Sequence, residues 1–213
     1  MRLSGQALRL LLQQKGMAMN QTSKEMKQAL RQEVLARRDA LDPQWRVEAS
    51  LGFAEWADRI APEPGAIVSG FWSMRSEVDV RPLMAALRER GARLALPAIL
   101  SKTEIIFREL VPGAPLVDMG FETFGPGEDA AIVDPVVMLV PLVAYDRRGH
   151  RIGYGAGYYD RAIELLEKKG IAPRLIGVAF NCQQVEHVPD EPHDVPLPEI
   201  LTESGLRPFP LSS

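Results

Sequence analysis

Hydrophobic and polar positions change their spacing several times along the chain. Apolar residues recur at helical spacing over 24–41, where Ser23 is a candidate N-cap, and Asp42 followed by Pro43 predicts the start of a second helix that runs to about residue 60. Short apolar runs then alternate with helical segments. The predicted strands are 66–72, 93–96, 104–110, 136–143 and 175–180, and the predicted helices among them are 80–90 and 157–169.

This alternation predicts an α/β fold with a largely parallel sheet and helices on both faces. Pro97 is expected to end the second strand, and the mixed pattern of 104–110 is typical of an edge strand. Residues 113–135 are rich in glycine, proline and acids, which predicts a long loop. The proline-rich tail from Pro189 is expected to run extended over the surface without adding a regular element.

Composition restricts the class of protein. The 213 residues are 46% hydrophobic and 25% charged, which is typical of one globular domain. The net charge of −3 argues against a nucleic-acid-binding surface, and no apolar run is long enough to predict a membrane span. A single cysteine, Cys182, fits a reducing compartment, so we expect a cytoplasmic location. Residues 1–20 lack acids and are expected to be a poorly ordered extension before one domain over 21–213.

The segment from Tyr145 to Asp160 carries the most informative chemistry. It follows the clearest predicted strand and begins a helix, where ligands bind in open α/β sheets. Its closely spaced glycines are Gly153, Gly155 and Gly157, and its arginines are Arg147, Arg148 and Arg151. Backbone N–H groups and positive charge at such a position predict a phosphate cradle. It is neither a dinucleotide fingerprint nor a Walker loop, because Tyr158 takes the place of the third glycine and no lysine follows.

A basic face on the first helix is a second candidate. Lys24, Lys27, Arg31 and Arg38 fall within a narrow sector of the helical wheel. Such a stripe is usually solvated. A ligand-binding role for Lys27 and Arg31 therefore requires that the helix packs across the glycine-rich segment.

A third candidate follows the first predicted strand. Phe71, Trp72 and Met74 could form an apolar slot for a flat heterocycle, and Glu77 could accept hydrogen bonds from ring nitrogens. Core aromatics with an acid that caps the next helix explain the same pattern equally well.

Other polar residues give weaker signals. Asp160 and Asp194 are candidate ligands for a hard cation such as Mg²⁺. His150, His187 and His193 do not have the spacing of a zinc site. Cys182 is expected to be a buried or half-buried thiol, and nothing supports a nucleophilic role for it with a histidine.

Four blocks of sequence together resemble the 5-formyltetrahydrofolate cyclo-ligase family. The blocks are Lys27-x-x-Leu30-Arg31, Ser73-Met74-x-x-Glu77-Val78, Gly149-x-Arg151-Ile-Gly-Tyr-Gly-x-Gly-Tyr-Tyr-Asp160, and Ala179-Phe180-x-x-Gln183 with His193-Asp194. The third block is highly specific, and the order and separation of the others agree with it. The resemblance covers roughly residues 24–203.

The resemblance implies a fold and a reaction. The fold would be a Rossmann-like three-layer α/β/α sandwich with a mostly parallel sheet. The reaction would be the ATP-dependent closure of 5-formyltetrahydrofolate to 5,10-methenyltetrahydrofolate with release of ADP and phosphate, with Mg²⁺ as the metal. The partners would be small molecules, with no nucleic acid and no membrane, and the protein is expected to be a monomer.

The resemblance also assigns residues by position. The ATP contacts would be Lys27, Arg31, Arg151, Ile152, Gly153, Tyr154, Gly155, Ala156, Gly157, Tyr158 and Tyr159. The folate contacts would be Trp72, Glu77, Gly153, Tyr154, Gly155 and Gly157, and the Mg²⁺ ligands would be Asp160 and Asp194. Because phosphoryl transfer depends on positioning and charge neutralisation, Arg151, Lys27 and Arg31 would be the catalytic stabilisers.

The chain departs from the family pattern at three places. Ala156 stands where some members have lysine, Pro198 replaces a common acid, and the usual tryptophan is missing between residues 120 and 134. Two other functions fit the same residues: an ATP-dependent enzyme with another substrate, and a binding module without catalysis.

Overall fold

The computed structural model describes residues 23–120, 123–191 and 194–210. The expectation for residues 1–20 and His193 of the fourth block lie outside these ranges. The helices are α1 (Ser23–Asp39), α2 (Pro43–Gly52), α3 (Ala57–Ile60), α4 (Arg81–Glu89) and α5 (Tyr158–Lys168), with short 3₁₀ turns at Phe53–Trp56 and Asn181–Gln183. Among the helices described, none is long and apolar enough to span a bilayer.

The described strands form one large sheet and two small hairpins. They are β1 (Ile67–Ser69), β2 (Arg93–Ile99), β3 (Ile105–Glu109), β4 (Leu116–Gly120), β5 (Thr123–Pro126), β6 (Val137–Pro141), β7 (Ala144–Tyr145), β8 (Arg151–Ile152), β9 (Arg174–Val178), β10 (Glu199–Thr202) and β11 (Gly205–Pro208). The large sheet has the order β11-β10-β9-β6-β1-β2-β3. Its inner strands are parallel, and the edge strands β11 and β3 are antiparallel to their neighbours.

Helices cover both faces of this sheet. On one face α3, α4 and the 3₁₀ turn before α3 pack on Val68, Leu139 and Ile176. On the other face α5 packs through Ile163 and neighbouring residues against Met138. The predicted α/β/α sandwich with a mostly parallel sheet is therefore confirmed.

The start of α2 follows from local chemistry, but the second predicted helix is interrupted. The prediction of Ser23 as an N-cap is wrong, because Ser23 already lies in α1 and its hydroxyl has no hydrogen-bond partner in the described chain. The Asp42 side chain accepts from the backbone N–H of Trp45 at 2.9 Å, with Pro43 at the first helical position. The helix predicted to reach residue 60 changes to a 3₁₀ turn at Phe53, directly after Gly52. Glycine is among the weakest helix formers, which is consistent with a break at this point.

Strand β2 continues through Pro97, so the prediction that it stops there is wrong. The backbone groups of Arg93 and Ala95 bond on the side of β1. Pro97 faces the same side, but β1 has already ended at Ser69. The missing N–H of the proline therefore removes no bond from the ladder with β3.

The long loop predicted over 113–135 is also wrong, because β4 and β5 form a hairpin within it. Most side chains of β4 are exposed. An exposed strand needs no alternation of apolar and polar residues, so periodicity does not reveal it.

The tail is not merely extended over the surface, as predicted. β10 pairs in parallel with β9, and β11 returns antiparallel to β10 to form the edge of the sheet. The prolines flank this hairpin, since Pro198 precedes β10 and Pro208 ends β11. The residues between them keep the N–H groups that the ladder needs.

The topology places three loops at one edge of the sheet. The chain leaves β1 toward β2 on one side, whereas β6 lies on the other side of β1. This reversal is the switch point at which α/β sheets form a ligand crevice. The loops after β1, β6 and β9 all begin at the carboxyl ends of parallel strands and carry Glu77, the glycine-rich segment and Asp194.

Candidate functional site

The glycine loop, defined here as residues 153–157, connects the β7–β8 hairpin to α5. Gly155 has φ +102° and Gly157, the residue before α5, has φ +65°. These values lie in the left-handed region that glycine enters without steric cost. The loop therefore brings its backbone and the N-terminal end of α5 to the side of the sheet where the parallel strands have their carboxyl ends.

Helix α1 packs across the glycine loop. Arg31 Nε donates to the Gly153 carbonyl at 2.7 Å, and its guanidinium lies against Gly155. Val34 and Ile152 are both buried in the contact beneath. The first helix thus packs across the glycine-rich segment, as a ligand-binding role for its basic face requires. Arg31 is therefore not part of a merely solvated stripe.

Arg31 differs from Lys27 and Arg151 in having no acidic partner in the described chain. Among the ion pairs of the described residues none involves Arg31, and its donor atom Nε bonds to a neutral carbonyl. Partial burial lowers the pKa of its guanidinium, which means that the cation has lost solvation without gaining an acid. Such a guanidinium can still donate charge-assisted hydrogen bonds to an anion.

Lys27 connects α1 to the loop after β9. Its Nζ donates to Asp194 Oδ2 at 2.7 Å and lies 3.5 Å from Glu191 Oε2. The side chain is 14% exposed. Lys27 and Asp194, far apart in the sequence, therefore share one small region beside Arg31.

Arg151 is held by protein acceptors. One terminal nitrogen donates to Asp160 Oδ1 at 2.7 Å and the other to the Val195 carbonyl. Its side chain is 6% exposed. Arg151 thus joins the start of α5 to the loop that carries Asp194.

The other arginines of the segment do not act together with Arg151. Arg148 pairs with the buried Asp146 and with Asp190, so it fastens the loop after β9 to the β7–β8 turn. Arg147 is exposed. A phosphate cradle here would therefore take its charge from α1 and Arg151 and not from three neighbouring arginines.

Glu77 meets the glycine loop. Tyr154 donates its hydroxyl proton to Glu77 Oε1 at 2.6 Å, and Met74 N–H donates to Oε2 at 2.8 Å. Burial raises the pKa of the Glu77 carboxyl, while these two hydrogen bonds and the charge of Arg38 act in the opposite direction. Glu77 is therefore not a helix cap, which was the competing interpretation. The acid at the start of α4 is Asp79, which accepts a hydrogen bond from the backbone N–H of Arg81.

Sequence reasoning missed Arg38 as a site residue. It is 1% exposed and contacts both Ser76 and Tyr154. Its position beside Lys27 and Arg31 on the helical wheel was the available indication. Periodicity alone does not predict which part of the protein packs against that face of the helix.

The aromatic slot is built differently from the prediction. Trp72 is half-buried and packs on Phe124 of β5 with ring centroids 5.4 Å apart, and the Arg81 guanidinium lies over its ring. Phe71 belongs to the main core. The hairpin that the sequence did not predict therefore supplies one wall of the slot.

Not every residue of the predicted ATP stretch offers its side chain to a ligand. Ile152 is buried in the contact with α1, and the Ala156 carbonyl accepts from Arg161 at 2.6 Å. Tyr158 donates to the Ser101 carbonyl at 3.4 Å. The Tyr159 hydroxyl is buried and lacks a hydrogen-bond partner in the described chain, and burial raises its pKa.

The two candidate metal ligands are both ion-paired, Asp160 with Arg151 and Asp194 with Lys27. Within the described ranges no three His, Cys, Asp or Glu side chains form a metal-binding group. Two carboxylates suit Mg²⁺ when phosphates and water complete its shell, so the donor chemistry fits a cation that arrives with a nucleotide.

Cys182 and Gln183 have structural positions. The thiol is half-buried, as predicted, and burial raises its pKa, which disfavours the nucleophilic thiolate. Gln183 is buried and its amide donates to the carbonyls of Leu142 and Val143. It therefore fastens the end of β9 to the end of β6.

Comparison with known proteins agrees with this arrangement. The sequence model of the 5-formyltetrahydrofolate cyclo-ligase family matches residues 23–203. The chain is 33% identical over 180 residues to the 5-formyltetrahydrofolate cyclo-ligase of Escherichia coli K12, which covers 80% of this chain and 96% of the relative. It is 32% identical over 137 residues to the Haemophilus influenzae 5-formyltetrahydrofolate cyclo-ligase, which covers 62% of this chain and 72% of the relative.

Solved structures show the same fold. The NMR structure of Aquifex aeolicus 5,10-methenyltetrahydrofolate synthetase superimposes with a TM-score of 0.72 and 27% identity, over 88% of this chain and 95% of that one. The Mycoplasma pneumoniae 5,10-methenyltetrahydrofolate synthetase has a TM-score of 0.65 and 24% identity, over 82% of this chain and 96% of that one. The family match extends from the start of α1 to the end of β10 and includes every block quoted from the sequence. On these grounds the chain belongs to the 5-formyltetrahydrofolate cyclo-ligase family.

Proposed function

We propose that this protein is an ATP-dependent ligase that closes 5-formyltetrahydrofolate to 5,10-methenyltetrahydrofolate and releases ADP and phosphate. Family membership supports the reaction. The observation that carries it is the 2.6 Å hydrogen bond between Tyr154 and Glu77. It joins the loop assigned to ATP with the acid assigned to the folate, so both substrates would meet in one crevice.

The chemistry explains why such a site needs no side-chain nucleophile. A formamide carbonyl is a poor electrophile, so its oxygen must first become a leaving group. Transfer of the γ-phosphoryl group to the formyl oxygen does this. The folate N10 then attacks the formyl carbon, loses its proton, and closes the ring as phosphate departs with the former formyl oxygen.

The protein's task is to position the reactants and neutralise charge. Arg31 and Lys27 lie on α1 beside the glycine loop, where their charges would stabilise the phosphates. Arg151 would hold Asp160 and the loop of Asp194 in place and contribute its charge. Backbone N–H groups of residues 153–157 would complete the ATP site.

The folate would occupy the other side of the glycine loop. Glu77 would accept hydrogen bonds from N–H groups of the reduced pterin, and the ring would lie in the slot walled by Trp72. Asp160 and Asp194 are the residues that would hold Mg²⁺, which supplies charge neutralisation on the nucleotide. Both carboxylates already lie on segments that Arg151 brings together.

A spectrophotometric assay tests the function. The protein is mixed with MgATP and 5-formyltetrahydrofolate in mildly acidic buffer, and the near-ultraviolet band of the methenyl product is followed. We expect the band to grow only when ATP is present, with one phosphate released per product. Tight folate binding without product would contradict the proposal and favour a binding module. ATP hydrolysis without methenyl product would favour a different substrate.

We further propose that the protein acts as a monomer in the cytoplasm on small-molecule substrates alone. The crevice at the switch point of the sheet supports the monomer, because the described residues of one chain supply every group assigned to ATP and folate. Size-exclusion chromatography with light scattering is expected to give a mass of one chain at micromolar concentration. A dimer at that concentration would contradict it.

A further inference from the structure

Arg38 is a charged side chain buried beneath the acid of the proposed folate site. Its Nε donates to Ser76 Oγ at 2.9 Å, and its Nη2 donates to the Tyr154 hydroxyl at 3.2 Å. Its Nη1 lies 3.9 Å from Glu77 Oε1 and has no hydrogen-bond partner among the residues the structure describes. A buried guanidinium with incomplete acceptors costs free energy, so packing alone does not account for an arginine here.

The direction of each hydrogen bond follows from the chemistry of the groups. A guanidinium can only donate, so the Tyr154 hydroxyl accepts from Arg38 and must send its own proton elsewhere. That proton goes to Glu77 Oε1. Because Met74 N–H donates to Oε2, both oxygens of Glu77 act as acceptors, which favours the ionised carboxylate.

Several groups face Glu77 from the elements packed around it. They are Arg38 from α1, Tyr154 from the glycine loop, Tyr159 from α5 and the N–H of Met74 from its own loop. Asp39 does not contact Glu77 directly. It is linked to Arg38 through Ser76, whose hydroxyl donates to the Asp39 carboxylate and accepts from Arg38. Of the charged groups that the described residues place against Glu77, Arg38 is the cation that opposes the effect of burial.

We propose that Arg38 is a positioning residue for substrate recognition: it fixes the Tyr154 hydroxyl as a donor to Glu77 and so holds Glu77 as an ionised acceptor for N–H groups of the reduced pterin. The inference rests on the proposed function for its substrate. Arg38 acts through Glu77 and Tyr154 and is not assigned a contact with either substrate.

The test compares Arg38→Met with Arg38→Lys and with Arg37→Met as the matched control. Methionine fills the buried space without charge, lysine restores charge but not the fork of donors, and Arg37 is a half-exposed neighbour on the same turn. Each variant is first checked for wild-type circular dichroism and cooperative thermal unfolding. Binding of 5-formyltetrahydrofolate is then measured by calorimetry without ATP, and KM values for both substrates are measured with ATP.

We expect Arg38→Met to weaken folate binding and raise the folate KM about 10- to 100-fold, because Glu77 loses the cation that favours its ionised, acceptor form. The KM for ATP should stay within about two-fold, since the hydrogen bonds of Arg38 reach none of Lys27, Arg31 and Arg151, the charged groups assigned to ATP. Arg38→Lys should recover part of the affinity, and Arg37→Met should behave as wild type.

The pH profile separates this role from a merely structural one. The active form has Glu77 ionised, so activity on folate falls as pH drops through the pKa of Glu77. Removing Arg38 removes a cause that lowers this pKa, so the acid limb of kcat/KM for folate should move to higher pH. Tyr154→Phe removes one of the two hydrogen-bond donors to Glu77 and should move the limb in the same direction.

Each result decides between outcomes. Wild-type folate affinity and an unmoved acid limb in folded Arg38→Met would overturn the inference while leaving the proposed function intact. If Arg38→Met fails to fold, Tyr154→Phe carries the same two measurements, and an unmoved acid limb in that variant overturns the inference. No methenyl product from the wild-type protein would instead contradict the proposed function.

Discussion

Three of the arginines around the glycine loop each meet a different set of acceptors. Arg31 bonds to a neutral carbonyl, Arg38 is buried against a tyrosine and a serine, and Arg151 is paired with a carboxylate. Identical side chains thus differ in how much charge is left for a ligand. By this criterion Arg31 is the strongest candidate for direct contact with phosphate, and Arg151 contributes mainly by holding two segments together.

Arg151→Ala should lower turnover by about 100-fold or more, because it removes a cation and releases Asp160 at the same time. Asp160 is partly exposed and can hydrate, so the fold should remain intact. The measurement is kcat by methenyl formation, with circular dichroism to check folding. Arg147→Ala, in the same segment but exposed, is the matched control; near-normal turnover of Arg151→Ala would refute the role.

Gly149→Ala should destabilise the protein by about 2–4 kcal/mol, because strain and a clash act together. Gly149 has φ +85°, and a Cβ there would lie 2.3 Å from the Leu197 carbonyl oxygen. Chemical denaturation gives the free energy of unfolding. Gly52→Ala is the control, since a Cβ at Gly52 meets nothing within 4 Å and its backbone is helical, so its stability should not fall.

At the scale of elements, the β4–β5 hairpin adds a wall to the slot beside the loop that follows β1. The hairpin is mostly exposed, but Phe124 reaches Trp72. An aromatic pair of this kind fixes the orientation of both rings. The sequence has no tryptophan between residues 120 and 134, and among the described residues of this stretch Phe124 is the aromatic side chain that packs against Trp72.

Phe124→Ala should raise the folate KM about 3- to 10-fold and leave the ATP KM unchanged, because the slot loses one wall and Trp72 loses its support. Steady-state kinetics with each substrate varied in turn measures both values. Val117→Ala, an exposed apolar residue on the partner strand, is the control. Equal changes in both KM values would show that the hairpin does not form part of a folate slot.

At the scale of the whole molecule, one reversal of strand order creates the site. Glu77 follows β1 and the glycine loop follows β6, and these strands are neighbours in the sheet. Helix α1 then lies across the loop and brings Lys27, Arg31 and Arg38 to it. The domain beginning at α1 therefore contains every proposed site residue.

A chain that begins at residue 21 should keep kcat and both KM values within about two-fold of those of the full chain. The family match begins at residue 23, and no proposed site residue precedes it. Kinetics and thermal unfolding of both forms provide the measurement. A large loss of activity in the shorter, folded chain would mean that residues 1–20 belong to the working domain.

Much of this protein could be predicted from sequence because the signals are local. The alternation of strands and helices predicted the sandwich, and the glycine-rich segment predicted the central loop of the site. Lys27, Arg31 and Glu77 were identified from short motifs, and the structure places them around that loop. The β4–β5 hairpin and the β10–β11 hairpin escaped prediction, because exposed strands lack periodicity and the prolines flank the second hairpin instead of interrupting it.

By itself the sequence determined the alternation of strands and helices in the central sheet, the family and the types of side chain available for phosphate and folate. Only the tertiary structure decided which of those side chains meet. The contacts of Arg38 with Ser76 and of Tyr154 with Glu77 join segments distant along the chain. A local pattern specifies which face of a helix is basic, but the partner of that face depends on how the helix packs, and burial of the resulting network then sets the pKa of Glu77.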